Sequence, residues 1–225
     1  MRTKGIEPSR TSIMTVLDLS AIDATPLQTD PFDFIVVPGC IRPKDLASVN
    51  RDYPDIDRPG NLNPEDVSFG PLFQSFLEEL EGPEFADHIG RKFDLDLSDC
   101  TTTVTVRKYC ERSDGNIHTD HPSKVITVLV YFNEDWSNPE GQLRMLRSAS
   151  DIEDFAAEVP PLGGTLLAFR RTDHSYHGHK PYVGERRMVQ MNYLKSGRLS
   201  QWKQQIDRLG TRTMKKALRL LQPRA

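Results

Sequence analysis

The sequence predicts a mainly β protein, a sandwich or barrel of short strands with helices packed around it. Three observations carry that prediction. From about residue 101 the chain breaks into short runs rich in β-branched and aromatic residues, each closed by Gly, Pro, Asn or Asp. Ahead of these runs, apolar residues recur at 72, 73, 76, 77 and 80, a helical period. Behind them, Leu199, Trp202, Ile206, Leu209, Leu218 and Leu221 follow a three-to-four spacing with basic residues between, as in an amphipathic helix.

The elements follow in order. Residues 1–30 read as loosely structured, with a possible short strand at SIMTVLDL. PFDFIVVPGCI (31–41) reads as a strand stopped by Pro38 and Gly39. RPKDLASVNRDY opens with a proline suited to a first helical turn. A Pro/Gly/Asn loop separates it from GPLFQSFLEELEGPEFADHIGRKF, two helices with Pro83 restarting the second. TTTVTVRKYC, KVITVLVYFNED, GQLRML, GGTLLAFR, DHSYHGH and ERRMVQMNYL read as the strands. Between them, SASDIEDFAAEVPP (148–161) reads as a capped short helix ended by two prolines.

A length of 225 residues suits one domain. No apolar run is long enough to span a bilayer, and the N-terminus MRTKGIEPSRTSIM has no apolar signal core. Cys40, Cys100 and Cys110 show no CxxC spacing, which points away from a zinc cluster or disulfide framework and towards a reducing, cytoplasmic setting. The net charge of −3 is unevenly spread: residues 195–225 carry nine Lys/Arg and one acid, so the body is acidic and the tail basic. The tail has one aromatic residue, Trp202, which argues against base stacking and hence against a nucleic-acid partner. It reads instead as a helix packed on the acidic body.

The stretch GNIHTDHPS places His118 and Asp120 two apart. In a strand they share one face, with Thr119 and His121 on the other. Downstream, His174, His177 and His179 are candidates for a third metal ligand. In the strand RRMVQMNY, residues Arg186, Met188, Gln190 and Asn192 share a face. A buried arginine there calls for an anion, and its planar fork suits a carboxylate. Two His and one carboxylate form a facial triad with open positions on Fe(II), able to take a bidentate keto acid and then dioxygen.

With YCERSDGNIHTD, KVITVLVYFNED, GQLRML, LGGTLLAF and HGHKPYVGERR in this order, the chain resembles the Fe(II)/2-oxoglutarate-dependent dioxygenases of the prolyl 4-hydroxylase-like branch over roughly residues 101–194. The resemblance implies a double-stranded β-helix, a cupin-like jelly roll, with an N-terminal helical region and a C-terminal basic helix. Residues 1–225 would then form one dioxygenase domain, with a strand and supporting helices in 31–100, the jelly-roll core in 101–194 and a helical tail in 195–225. It implies His118, Asp120 and His177 as iron ligands. His177 is preferred over His179 because it precedes Pro181 by four and Arg186 by nine, as in the family. It further implies that Arg186 binds the distal carboxylate of 2-oxoglutarate with Tyr131, that Tyr109 reaches the co-substrate near the metal, and that Leu129, Leu143 and Gln190 line the pocket.

The cofactors so implied are Fe(II) and 2-oxoglutarate, with ascorbate as a candidate reductant. The reaction implied is hydroxylation of a C–H bond in a small molecule or peptidyl residue, using O2 and yielding succinate and CO2. Arg107 and Lys124 are candidates to meet an acidic group on that substrate or to form surface ion pairs. Two other classes use the same ligands: a metal-dependent hydrolase, which needs no keto-acid clamp, and a non-catalytic sensor or binding protein on a cupin-like barrel. The sequence contains no GxSxG, P-loop or dinucleotide fingerprint.

Overall fold

A computed structural model describes residues 15–195. The expected basic helix beyond Lys195 lies outside them, as do the first residues of SIMTVLDL. The end of that stretch is not a strand: Leu17 makes a single bridge to Ile41, and a helix follows directly. The helical layer comprises α1 (Leu19–Ala24), α2 (Pro43–Arg51), α3 (Pro71–Leu80) and α4 (Pro83–Phe93), with β1 (Phe34–Val37) between α1 and α2. Seven strands follow: β2 (Thr101–Cys110), β3 (Lys124–Tyr131), β4 (Leu143–Leu146), β5 (Phe155–Val159), β6 (Leu166–Arg170), β7 (His177–Gly178) and β8 (Gly184–Leu194).

Helices α2, α3 and α4 each start on a proline, where the missing N–H costs nothing and φ is already helical. The start of α3 is completed from outside, because the Leu72 N–H donates to the Asp52 carboxylate at 2.7 Å. Asp52→Ala is expected to destabilise the fold by about 1 kcal/mol, the usual cost of losing a helix N-terminal acceptor, read as a lower urea midpoint with unchanged slope.

The strands form two antiparallel sheets of a jelly roll, ordered β1-β6-β3-β8-β2 and β5-β4-β7. The central strands of the larger sheet are apolar on both faces, as strands covered on both sides must be. One face of it, with Ile126, Val128, Val130, Ala168, Val189 and Met191, packs on Phe73, Phe76, Leu80, Phe85 and Ile89 of the helices. The opposite face, with Leu129, Tyr131, Leu167, Phe169 and Met188, packs on Leu143, Met145 and Val159 of the smaller sheet. Side chains alternate faces along a strand, so the second set fixes which residues point between the sheets. In the β3–β8 register Thr127 pairs with Asn192, Leu129 with Gln190 and Tyr131 with Met188.

The segment 148–161 is not a helix. Ser148 Oγ accepts from the Ser150 and Asp151 N–H groups, which closes a turn, and Phe155–Val159 then extends along β4. Pairing with β4 gives the backbone of FAAEV its partners. Glu158 accepts a 2.6 Å hydrogen bond from Arg144, whose guanidinium also lies 4.3 Å from the Phe155 ring centre. These cross-strand contacts outweigh the helix propensity of Ala and Glu.

Candidate metal and co-substrate site

His118 and His177 are drawn together by the backbone. The His118 N–H donates to the His177 carbonyl at 3.1 Å and the His177 N–H returns a bond at 3.0 Å, which sets the rings 4.4 Å apart. His118 lies on no continuous strand; this one bridge, within the loop between β2 and β3, positions it. Each ring donates its Nδ1–H to a backbone carbonyl two residues earlier, His118 to Asn116 at 2.8 Å and His177 to Ser175 at 2.9 Å. That fixes both tautomers and leaves each Nε2 lone pair for a ligand. Burial pulls the His177 pKa down to about 4, so the ring is neutral, the form that binds a metal.

Asp120 completes the group: ligand atoms of His118, Asp120 and His177 all lie within 4.8 Å of one another. Both Asp120 oxygens are held, Oδ1 by Lys124 Nζ at 2.7 Å and Oδ2 by the Thr127 hydroxyl at 2.5 Å, and its backbone carbonyl accepts from Arg171. Burial by itself would raise the Asp120 carboxyl. The Lys124 ammonium, with His177 and the Thr127 hydroxyl, outweighs it and keeps the group below the usual carboxylate range. Two imidazoles and one carboxylate on one side of a cavity are a donor set that fits Fe(II).

These residues open on a cavity of about 420 Å³. Leu129, Leu143 and Gln190 line it, as do Arg107, Lys124 and Arg186. Arg186 is 3% exposed. Its Nε donates to the Gly141 carbonyl at 2.8 Å and an Nη lies 3.3 Å from the Tyr131 hydroxyl. No carboxylate among the described residues pairs with it. The other deeply buried arginine, Arg144, has both Glu153 and Glu158. Tyr131 is fully buried and accepts from Arg186, which leaves its own O–H to donate.

Tyr109 is not among the residues lining the cavity. Beside it the β2–β8 register shifts, two steps along β2 from Arg107 to Tyr109 matching three along β8 from Met188 to Glu185. His179 lines the cavity but stands outside the ligand cluster. It bonds the Lys180 carbonyl and abuts Gly115, where φ is +86° and a side chain would collide with the imidazole. Arg107 and Lys124 are ion-paired, to Asp114 at 2.9 Å and to Asp120, while facing the cavity. His121 points to Ser123, away from the site.

The sequence reading missed Thr127. It lies on the same face of β3 as Leu129 and Tyr131, so the two-residue period was the signal for it. Thr127 also contacts Asn192 Oδ1 at 3.3 Å, and Asn192 accepts from Gln190 at 3.0 Å, so the buried polar chain runs from Asp120 to the cavity wall. Thr127→Val is expected to weaken divalent-metal affinity by roughly 10- to 100-fold with the fold intact, measured by Mn(II) titration. Thr127→Ser should restore most of it.

Comparison with known proteins agrees with this geometry. The sequence profile of the 2OG-Fe(II) oxygenase superfamily matches residues 104–195. No curated protein matches the sequence. A Pseudomonas putida prolyl-4-hydroxylase structure superposes with a TM-score of 0.53 at 17% identity, covering 86% of this chain and 100% of that one. A 2OG-Fe(II) oxygenase family oxidoreductase from Burkholderia pseudomallei gives 0.53 at 12%, covering 80% and 92%. A prolyl 4-hydroxylase from Phytophthora capsici gives 0.50 at 14%, covering 93% and 78%. At these identities the structural likeness is one of fold. The matched residues 104–195 include His118, Asp120, His177 and Arg186, so the part of the chain that is similar to the 2OG-Fe(II) oxygenase superfamily is the part that builds this site.

Proposed function

We propose that this protein is an Fe(II)- and 2-oxoglutarate-dependent dioxygenase that hydroxylates a C–H bond of a small molecule or a peptidyl residue. The observation that carries the proposal is Arg186. A guanidinium buried without a carboxylate partner among the described residues is costly, and this one sits on the cavity that His118, Asp120 and His177 share. A dicarboxylic keto acid supplies what it lacks, and a metal-dependent hydrolase would have no use for it.

His118 and His177 would hold the ion through Nε2, and Asp120 through a carboxylate oxygen. Fe(II) bound there with 2-oxoglutarate and O2 supplies the oxidising chemistry, with succinate and CO2 as co-products. Arg186 pairs with the distal carboxylate in a fork, and the Tyr131 hydroxyl donates to the same group. Leu129, Leu143 and Met188 give the methylene groups an apolar wall and exclude water from it. Lys124 and Thr127 keep Asp120 ionised and aimed. Arg107 and Lys124, at the mouth, are the groups available to an acidic feature of the substrate. No protein acid, base or nucleophile is required.

In this proposal residues 1–225 act as one domain, in which 31–100 support the jelly roll of 101–194. The P. putida and P. capsici relatives are prolyl 4-hydroxylases, so a proline-containing peptide belongs among the first substrates to try. Among the described residues no helix is long and apolar enough to cross a membrane. Cys40, Cys100 and Cys110 are free, which supports a reducing, cytoplasmic setting. Iron-loaded protein given 2-oxoglutarate and air should release succinate, slowly without substrate and faster when a substrate is found; ascorbate should prolong the uncoupled reaction. Succinate at the level of a no-enzyme control, from folded and iron-loaded protein, would count against the proposal.

A further inference from the structure

A second cleft, of about 520 Å³, opens where α4 and the loop after it meet β2 and the end of β8, and it shares no lining residue with the metal cavity. Its apolar lining includes Ala86, Leu95 and Leu97, and exposed carboxylates of Glu81, Asp87 and Asp96 stand around it. The one cationic side chain there, Arg91, lies 3.7 Å from Asp23. Tyr193 also lines the cleft. It is 2% exposed, yet its hydroxyl has no hydrogen-bond partner among the described residues. A buried phenol in that state is costly, so the cleft is built for something that brings a polar group to it.

The sequence supplies an occupant. The described chain ends at Lys195, two residues past Tyr193, and the 30 residues that follow carry eight Lys/Arg against one acid, Asp207. Leu199, Trp202, Ile206 and Leu209 recur among them at steps of three and four. Cleft and segment are therefore opposite in charge, both partly apolar, and joined by the chain itself, which makes their local concentration high.

We propose that this cleft is the docking site of the chain's own C-terminal segment, residues 196–225. The apolar set around Trp202 covers Ala86, Leu95 and Leu97, and Lys and Arg side chains meet Glu81, Asp87 and Asp96. Docking there ties down the end of β8, the strand that carries Arg186.

The test uses the full chain. Trp136→Phe leaves Trp202 as the single tryptophan, since the sequence has two. Its emission should be blue-shifted, and acrylamide should quench it several-fold less than in the denatured chain, at every protein concentration. Adding Glu81→Lys, Asp87→Lys and Asp96→Lys should bring emission and quenching to the denatured level with far-UV circular dichroism unchanged. Cys100, which also lines the cleft, should then react with a thiol reagent about ten-fold faster. If the triple exchange does not fold, Asp87→Lys alone, at an exposed helix position, should shift both readouts in the same direction. Trp202 as quenchable as in the denatured chain, or shielding unmoved by charge reversal, overturns the proposal. Shielding lost on dilution overturns it too, by assigning the cleft to the segment of a second copy.

Discussion

Arg186→Met is expected to weaken 2-oxoglutarate binding by roughly 100- to 1,000-fold while metal affinity changes little. The distal carboxylate would lose its guanidinium partner, since the other cations lining the cavity, Arg107 and Lys124, are paired with Asp114 and Asp120, and breaking a buried charge pair costs about 3–5 kcal/mol, of which every 1.4 kcal/mol is tenfold in affinity. The same exchange should leave the ligand-free protein at least as stable as the wild type. In the free protein the Arg186 guanidinium leans on the Gly141 carbonyl, the Tyr131 hydroxyl and the Met188 sulfur, with no carboxylate partner among the described residues. An apolar side chain of similar length removes that desolvation cost. Loss of co-substrate affinity without loss of thermal stability is the signature of a binding arginine. A structural arginine would give the reverse. Arg186→Lys should fall between, because an ammonium keeps the charge but cannot hold Gly141, Tyr131 and a carboxylate in one plane. Titration of 2-oxoglutarate into metal-loaded variants, with melting curves alongside, checks all of this.

His177→Ala is expected to abolish stoichiometric metal binding, a larger effect than the roughly 10- to 100-fold of an outer hydrogen-bond partner. His179→Ala should retain it. The two residues are two apart and both are buried, and burial pulls each pKa down to about 4. What separates them is placement. His177 faces His118 through the paired backbone bonds and lies within ligand distance of Asp120. His179 lies against Gly115 and among the groups near Arg186. Co(II) or Mn(II) titration of both variants decides the assignment, and metal loss confined to His179→Ala would reverse it.

The parts of the fold that a two-residue or 3.6-residue period governs could be read directly. Side chains two apart in a strand share a face, so the common face of Arg186, Met188, Gln190 and Asn192 in RRMVQMNY of β8 follows from counting. The prolines at 43 and 83 mark two helix starts for a steric reason that holds in any context. The misreadings lie where local pattern does not decide. FAAEV has helix-forming composition, and only β4, with Arg144 waiting opposite Glu158, makes it a strand. The register shift beside Tyr109 arises from pairing with β8 and leaves no mark in TVRKYC. His118 and Asp120 were read as strand neighbours. They lie in a loop whose geometry comes from the bridge to His177, so the pairing of types was legible and its cause was not. Asn61, which accepts from Arg107 at the cavity mouth, comes from a loop remote in sequence that no periodicity could connect to it.

The most direct test of the central claim is an anaerobic titration of the full chain followed by visible absorption. Fe(II) alone should give no visible band. Adding 2-oxoglutarate should produce a weak charge-transfer band that saturates at one equivalent, and the band should be missing in His118→Ala and His177→Ala and present in His179→Ala. A folded wild-type protein that binds one Fe(II) yet shows no band at saturating 2-oxoglutarate would contradict the account.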